Sequence, residues 1–328
     1  MSEATVALVA PEAVAEAART IRGVAVRTPL LPAEWLSERV GGEVRLKCEN
    51  LQHMGAFKQR GAYNMVARLS DEQRAAGIIT YSSGNHGQAT AYAGRAFSVP
   101  TVVVMPTDAP DVKVQGCRRL GAEIVFEGTT SIERGRRAHA IAKERGLTII
   151  PPFDHPDIIA GQGTTGLEIL EDWPAADTVL VPIGGGGLIS GIAAWVKRSK
   201  PACRVIGVEP DGAAAMRRSL DAGEPVTLDA VDTIADGLKP TRPGDLTFLH
   251  VKELVDDVVT VADEAIREAA ALLFARSRLV VEFSGAAAVA ALLAGAWSGQ
   301  ASRTAAVLSG GNLDPSLVPS LLAVLPSD

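Results

Sequence analysis

One lysine of this sequence stands in a setting that favours covalent chemistry. Lys58 follows four uncharged residues, Met54 to Phe57, and lies between Gly55 and Gly61, where the backbone can take tight or positive-φ conformations. A lysine placed behind apolar residues is poorly solvated, so its pKa falls and its neutral amine can attack a carbonyl. The alternative is a lysine that extends to water beside a helix start. The stretch His53 to Ala62 alone leaves both interpretations open.

Four consecutive glycines, Gly184 to Gly187, form the most specific ligand-binding motif of the sequence. They follow the apolar run Val179 to Ile183 and precede the predicted helix Leu188 to Arg198. Successive free N–H groups at the positive end of a helix dipole suit a phosphate. A P-loop is excluded, because no Gly-Lys-Ser/Thr follows. A dinucleotide-binding turn remains an alternative, since Glu209 ends the next predicted strand, although Ser190 takes the place of the third glycine.

Three further corners contain residues that can contact a ligand. The segment Ser82 to Gln88 has hydroxyl, amide and imidazole groups at a predicted helix start. These groups can bind a carboxylate or a ring hydroxyl of a ligand, or they can simply cap the helix. Ser309 follows a predicted strand and can form one hydrogen bond to a ring nitrogen, while Asn312 is predicted to fix that turn. The segment Gly161 to Thr165 can cap a helix or line a cleft, and the sequence does not decide between these.

Short β-rich runs alternate with helical segments along the chain, which predicts parallel sheets covered on both faces. Strands are predicted at residues 44–48, 78–81, 101–105, 123–126, 147–150, 178–182, 204–209, 258–261 and 304–308. Helices are predicted at residues 11–21, 62–69, 88–96, 111–120, 132–144, 188–198, 264–275 and 286–296. Residues 158–166 are predicted as a Gly/Thr-rich loop between the two halves. Ligands of such sheets bind at the carboxyl ends of the strands.

Composition limits the class of protein. At 328 residues two domains are expected, and a net charge of −6 provides no basic surface for nucleic acid. Three widely spaced cysteines give no disulfide framework, and no secretory signal is apparent, which predicts a cytoplasmic protein. The uncharged window Phe283 to Ser302 is too weakly apolar to insert readily in a membrane and is predicted as a buried helix. Small molecules or other copies of the chain are the expected partners.

Four of these stretches resemble, in their order, the fold-type II pyridoxal phosphate (PLP) enzymes, and most of all threonine/serine dehydratases (ammonia-lyases) and serine racemase. They are Ala56 to Ala62, Ser82 to Gln88, Gly184 to Gly187 and Ser309 to Asn312. The resemblance extends from about Ile21 to Asp314. It implies a tryptophan synthase β-like fold of two open parallel-sheet α/β domains with the active site in the cleft between them. Residues 1–71 and 152–328 would form the large PLP-binding domain, and 72–151 the small domain.

The resemblance also implies roles around the cofactor. Lys58 would form the Schiff base with PLP and then remove the α-proton of the substrate. Phe57 would lie against the ring, and Asn85 would bond its 3-hydroxyl. The glycines Gly184, Gly185, Gly186 and Gly187 would bind the phosphate, and Ser309 the pyridine nitrogen.

Substrate and metal residues follow from the same resemblance. Ser82, Asn85 and His86 would receive the substrate carboxylate, and Ser83 matches the residue that faces the opposite side of the α-carbon in racemases. Arg134 matches a substrate-side arginine of racemases, and can equally hold the second carboxylate of a hydroxyaspartate or lie solvated on a basic face.

The resemblance leaves open whether the protein binds a divalent cation, Mg²⁺ or Ca²⁺. Glu209 matches its first ligand and Ala213 would offer a backbone carbonyl, but the third position falls on Ala215, which has no side-chain oxygen. Ala56 and Phe283 also depart from the more usual Ser and Pro of the family. Feedback-controlled dehydratases have a C-terminal effector domain, so the resemblance leads us to expect the short, catabolic kind.

The neutral hydroxyl of Ser309 gives a chemical reason for elimination. A carboxylate there would keep the pyridine protonated and make the ring a strong electron sink, whereas a hydroxyl does not, so expulsion of a β-substituent is favoured over transamination. The predicted reaction converts L-threonine or L-serine to 2-oxobutanoate or pyruvate and ammonia. A serine racemase and a 3-hydroxyaspartate dehydratase are the alternatives from the same site, and a dinucleotide-binding oxidoreductase is a distant one. A homodimer or homotetramer is expected.

Overall fold

The computed structural model describes residues 7–82, 84–109, 111–297 and 302–325. Within these residues the strands form two separate sheets, one of six strands and one of four. The larger sheet has the order β1-β2-β10-β7-β8-β9, in which β1 is antiparallel to β2 and the other neighbours are parallel. Its strands are β1 Leu30–Pro32, β2 Glu43–Lys47, β7 Thr178–Pro182, β8 Arg204–Pro210, β9 Asp257–Val261 and β10 Arg303–Val307.

The smaller sheet is parallel throughout and has the order β5-β4-β3-β6. Its strands are β3 Ile78–Tyr81, β4 Thr101–Met105, β5 Glu123–Phe126 and β6 Thr148–Ile149. Every residue of β4 is buried, as is every residue of β7 in the larger sheet. Such strands are continuous apolar runs in the sequence, and they are buried because helices cover both faces of the sheet. The predicted α/β class with parallel sheets is therefore confirmed.

Helices separate most of the strands and cover the sheets. In chain order they are α1 Pro11–Thr20, α2 Glu34–Val40, α3 Lys58–Ala67, α4 Asp71–Ala76, α5 Asn85–Ala96, α6 Asp111–Arg119, α7 Ser131–Arg145, α8 Pro156–Asp172, α9 Gly187–Ser199, α10 Ala215–Ala222, α11 Asp245–Leu254, α12 Asp263–Leu272, α13 Phe283–Leu293 and α14 Val318–Leu322. The nine predicted strands are all present within one or two residues of their predicted ends. Helices α2, α4, α8, α10, α11 and α14 were not predicted.

The predicted loop at residues 158–166 is wrong, because these residues lie in α8. A Cβ on Gly161 would overlap the backbone of Gly61 in α3, and a Cβ on Gly163 would overlap Gly191 in α9. The glycines that suggested a loop instead let three helices pack backbone to backbone, and this packing outweighs their low helix propensity. The segment Gly161 to Thr165 is therefore the middle of a helix and does not cap one.

The uncharged window near the C-terminus is partly described and begins with α13, in which residues 283–292 are all buried against the larger sheet. The prediction of a buried helix is confirmed for this part. Among the described residues, no helix combines the length and apolarity that a bilayer span requires.

The smaller sheet draws all its strands from residues 78–149, and the larger sheet draws its strands from residues 30–47 and 178–307. We propose that residues 72–151 form a small domain and that residues 1–71 and 152–328 form a large one. The chain passes from the large part to the small part after α3 and returns before α8, two helices that pack on each other.

Candidate active site

A cleft of about 450 Å³ lies among the loops that follow β3, β7 and β10. Because β7 and β10 are hydrogen-bonded neighbours, the loops after them meet at one edge of the larger sheet. The predicted site residues that line the cleft are Phe57, Lys58, Ser82, Asn85, His86, Arg134, Gly184, Gly185, Gly186, Gly187 and Ser309. Ser83 lies outside the described residues.

Lys58 is the first residue of α3, and the loop before it is fixed on the Ser309 segment. Phe57 N donates a hydrogen bond to Ser309 O (3.2 Å), and Gly311 N donates to Gly55 O (2.8 Å). Gly55 has φ +68°, the positive-φ conformation expected of it. Lys58 Nζ donates to Pro152 O (2.6 Å), and burial lowers the pKa of its amine to about 8. A neutral amine is therefore accessible near physiological pH.

A buried ion-pair network fixes the first turn of α3. The Arg60 side chain is fully buried, and its Nε and Nη2 each donate to the Glu49 carboxylate at 2.8 Å. Its Nη1 also donates to Glu168 Oε1 (2.7 Å), while Lys47 Nζ donates to the other oxygen of Glu168. Two cations and two carboxylates thus balance each other in the interior. Their geometry holds the helix that carries Lys58 against β2 and α8.

The four glycines join β7 to α9 and form the floor of the cleft. Gly186 has φ +94° and precedes the helix, whose first hydrogen bond runs from Ser190 N to Gly186 O (3.0 Å). The N–H groups between them have no partner within the helix, as at any helix N-terminus. A Cβ on Gly185 would overlap the ring of Phe153, so this glycine is required by close packing. The loop has the free amides and the dipole that an anion needs.

Asn85 is the first residue of α5, and both polar atoms of its side-chain amide form hydrogen bonds. Its Oδ1 accepts from Asn312 Nδ2 (2.9 Å), which also donates to Met54 O (2.8 Å). Its Nδ2 donates to Glu282 Oε1 (2.6 Å). Burial, reinforced by the charge of Asp236, raises the pKa of Glu282 to about 7. Asn312 was predicted to fix its own turn, and it also orients the amide of Asn85.

The start of α5 presents backbone amides and two side chains to the cleft. The first amide with a partner inside the helix is Gln88 N, which donates to Gly84 O (3.3 Å). Gly84 N donates to Ser82 Oγ (3.1 Å). His86 Nε2 lies 3.0 Å from Ile150 O, and burial together with the charge of Lys58 lowers the pKa of the imidazole to about 3. A neutral ring that donates to Ile150 O leaves its buried Nδ1 as an acceptor without a partner.

The His86 ring is thus unsuited to donate a hydrogen bond to a carboxylate. The amides of the first turn are the better donors at this place, because a helix N-terminus attracts negative charge. Ser309, on the other side of the cleft, is nearly buried, and its Oγ is 3.5 Å from Ser284 O. Its hydroxyl has no carboxylate partner among the residues that the structure describes.

Arg134 lies in α7 at the side of the cleft formed by the small sheet. The residue is only 7 % exposed, yet its guanidinium makes a single hydrogen bond, from Nη1 to Thr129 O (3.0 Å). Its Nε is buried without a partner, and burial lowers the pKa of the group. The alternative of a solvated role on a basic face therefore does not fit Arg134, although Arg136 and Arg137 are exposed.

Comparison with known proteins places these features in a family. The family model described as "Pyridoxal-phosphate dependent enzyme" matches residues 21–310. The chain belongs to this family. The cofactor is therefore pyridoxal phosphate, as predicted, and the dinucleotide interpretation has no support from this match.

Relatives of this PLP-dependent enzyme have several different activities. It is 42 % identical over 311 residues to the L-threonine ammonia-lyase of Thermotoga maritima, covering 95 % of this chain and 77 % of the relative. It is 40 % identical to the L-threo-3-hydroxyaspartate ammonia-lyase of a Pseudomonas species, covering 94 % of this chain and 97 % of the relative. The structure of maize serine racemase superimposes with a TM-score of 0.92 at 37 % identity, covering 97 % of this chain and 98 % of that one.

The residues of the cleft fit PLP by their own chemistry. The glycine loop offers backbone amides at the start of α9, and Lys58 offers an amine with a lowered pKa. The two lie in one cleft that is mostly apolar and large enough for a ring and an amino acid.

The residues matched to a cation site do not fit one. Glu209 is fully buried, and its two carboxylate oxygens accept from Met216 N (2.9 Å) and Arg217 N (2.8 Å) at the start of α10. Burial raises its pKa to about 7, and Ala213 and Ala215 supply no side-chain oxygen. The described part of the chain contains no cluster of three or more His, Cys, Asp or Glu side chains suited to a metal.

Several residues of the cleft were missed by the sequence analysis. They are Tyr81, Lys113, Phe153, Asp236, Glu282 and Ser284. Lys113 and Asp236 form an ion pair (2.7 Å) between α6 and the loop before α11. Glu282 had one available signal, since it is a lone carboxylate directly after the apolar run Leu279 to Val281. The others are defined by contacts across the fold and leave no local pattern.

Proposed function

We propose that the protein is a PLP-dependent ammonia-lyase that removes the β-hydroxyl and the amino group of L-threonine or L-serine. The products are 2-oxobutanoate or pyruvate, and ammonia. The observation that carries the proposal is the meeting of a lysine of lowered pKa, a glycine anion loop and the free amides of α5 in one cleft. About 40 % identity to an L-threonine ammonia-lyase over most of the chain supports it.

The chain's own groups divide into those that hold the cofactor and those that act on the substrate. Lys58 would hold the aldehyde carbon, Asn85 the 3-hydroxyl, the glycine loop the phosphate and Ser309 the ring nitrogen, with Phe57 against the ring. When bound, PLP supplies an electrophilic carbon for amines and a conjugated ring that withdraws electrons from the α-carbon. The amides at the start of α5, with Ser82 Oγ and the backbone of His86, bind the substrate carboxylate and orient the α-carbon. Lys58 Nζ, neutral in part near pH 8, takes the α-proton.

The neutral hydroxyl at Ser309 supports elimination in particular. A carboxylate at this position would hold a proton on the ring nitrogen, whereas the Ser309 hydroxyl contacts a backbone carbonyl, Ser284 O. Loss of the β-hydroxyl is then favoured over transamination.

The burial of Arg134 at the cleft favours a second kind of substrate, one with an additional carboxylate. A buried guanidinium without a carboxylate partner is costly, and its presence at the cleft suits a substrate that brings a second carboxylate, such as L-threo-3-hydroxyaspartate. In Arg134→Gln we expect kcat/KM for L-threo-3-hydroxyaspartate to fall by about 100-fold, with L-threonine changed less than threefold. Arg137→Gln, an exposed arginine of the same helix that does not line the cleft, is the control. Equal losses for both substrates would contradict this role.

The test of the reaction is product analysis with purified protein. L-serine, L-threonine and L-threo-3-hydroxyaspartate are supplied in turn, and the oxo acid, ammonia and D-isomer are measured. Oxo acid and ammonia in equal amounts are expected. D-serine without oxo acid would favour a racemase. Ser83→Ala is expected to abolish any D-serine formation while L-serine deamination persists, and equal loss of both would contradict the assigned face of Ser83.

We propose a homodimer or homotetramer in the cytoplasm. Light scattering during size-exclusion chromatography at several protein concentrations tests the oligomeric state, and a single species of 34.2 kDa would contradict the proposal.

A further inference from the structure

Helix α11 begins directly beneath the glycine loop, and both its N-cap residue and one of its side chains contact that loop: Gly244 N donates to Gly185 O (3.5 Å), as does Thr247. Thr247, in the first turn of α11, is fully buried, and its Oγ1 donates to Gly185 O (2.6 Å). In a trans peptide the N–H of the next residue points opposite to the carbonyl. The bond from Thr247 therefore turns Gly186 N–H away from α11, and Gly186 lines the cleft. The orientation of an amide available to an anion depends on where α11 begins.

The beginning of α11 is fixed by a carboxylate from a distant segment. Asp154 Oδ1 accepts from Leu246 N (3.0 Å) and Thr247 N (3.1 Å), and Oδ2 accepts from Asp245 N (3.1 Å). The residue at the helix start is Gly244, which provides no capping side chain, and a Cβ there would overlap the Asp154 carboxylate. One carboxylate thus satisfies three of the free amides of this helix and complements its dipole.

The segment that carries Asp154 also contacts the other half of the site. Pro152 O accepts from Lys58 Nζ (2.6 Å), and the ring of Phe153 packs on Gly185. Asp154 itself does not line the cleft, but faces a separate depression behind it with Tyr81 and His155. It does not touch a ligand in the cleft, and its hydrogen bonds reach the cleft through the groups that it holds.

We propose that Asp154 is a positioning residue for the anion loop, acting through the first turn of α11 and the hydroxyl of Thr247 on the Gly185 carbonyl. The inference rests on the proposed function in one respect, namely that the glycine loop binds the cofactor phosphate. Its specific consequence concerns the phosphate alone. Loss of Asp154 weakens the binding of PLP and leaves the binding of pyridoxal, which has the same aldehyde and ring but no phosphate, unchanged.

The test compares the two cofactors on the full-length protein after its PLP has been removed. Dissociation constants for PLP and for pyridoxal are measured by spectroscopic titration in the wild type, Asp154→Ala, Asp154→Asn and Thr247→Val. We expect Asp154→Ala to raise Kd for PLP about tenfold, Asp154→Asn to raise it about threefold and Thr247→Val about tenfold, with pyridoxal within twofold. The double variant Asp154→Ala/Thr247→Val is expected to bind PLP no more weakly than Asp154→Ala alone, because Asp154 positions the helix start that carries the Thr247 bond.

The control is Asp177→Ala. The Asp177 carboxylate accepts a hydrogen bond from Arg303 N (3.2 Å) and lies at the end of β7 that is opposite to the glycine loop. It is expected to leave the ratio of the two constants at the wild-type value. Equal weakening of PLP and pyridoxal in the Asp154 variants, or additive effects of Asp154→Ala and Thr247→Val, would overturn the proposal. Should Asp154→Ala not fold, Asp154→Asn decides on the same criterion. A wild type that binds pyridoxal as tightly as PLP would instead refute the phosphate role of the loop.

Discussion

The lowered pKa of Lys58 predicts how fast the apoprotein captures PLP at each pH. Burial brings the pKa from 10.5 to about 8, and only the neutral amine attacks an aldehyde. The neutral fraction is then about 9 % at pH 7 and about 91 % at pH 9. The capture rate should therefore rise about tenfold over this interval and level off above pH 8 to 9.

An ordinary lysine would behave differently. With a pKa of 10.5, its neutral fraction would rise from about 0.03 % to about 3 % over the same interval, a change of about 100-fold without a plateau. The assay is stopped-flow absorbance after mixing apoprotein with PLP, and the rate of N-acetyl-lysine with PLP at each pH corrects for titration of the cofactor. A rate that still climbs steeply at pH 9 would refute the argument that the cleft desolvates Lys58.

Two neighbouring groups bear on this profile. His86 stays neutral throughout, because its pKa is lowered to about 3. Glu282 ionises near pH 7, and its negative charge would favour the protonated lysine. Glu282→Gln keeps an acceptor for Asn85 and should remove any inflection near pH 7 while the plateau remains.

The remaining predictions concern stability and the glycine loop. Arg60→Met leaves Glu49 and Glu168 buried with too few partners, so we expect the free energy of unfolding to fall by about 3–5 kcal/mol. Urea unfolding measures this, and a loss under 1 kcal/mol would mean that the network is solvated. Gly185→Ala places a methyl group in the ring of Phe153 and should raise Kd for PLP by about 5- to 100-fold. Phe153→Leu in the same chain should restore most of that affinity, and an unrescued loss would contradict the clash.

The parts of the fold that could be predicted are those with a local signal. The strands were found because buried parallel strands are continuous apolar runs, and β4 and β7 are of this kind. The glycine loop and Lys58 were found because glycine runs and a lysine among apolar residues are unusual at any position. These signals do not depend on what the rest of the chain does.

The parts of the fold and the site that were predicted wrongly or missed are those that depend on contacts between residues distant in the sequence. Helix α8 has a glycine and threonine content that opposes helix formation, and only its packing on Gly61 and Gly191 explains it. The bond between Asn85 and Glu282 joins residues 197 positions apart, so Glu282 could not be assigned a role from its neighbours. The capping of α11 by Asp154 spans 91 to 93 positions and is equally invisible in the sequence.

The proposed function depends most on one covalent bond, the bond by which Lys58 would carry PLP above the glycine loop. Reduction of the purified holoprotein with borohydride, followed by proteolysis and mass spectrometry, tests it directly. A phosphopyridoxyl group on the peptide that contains Lys58, with every other lysine unmodified, is the predicted result. An unmodified Lys58 in yellow holoprotein, or the group on another lysine, would contradict the account.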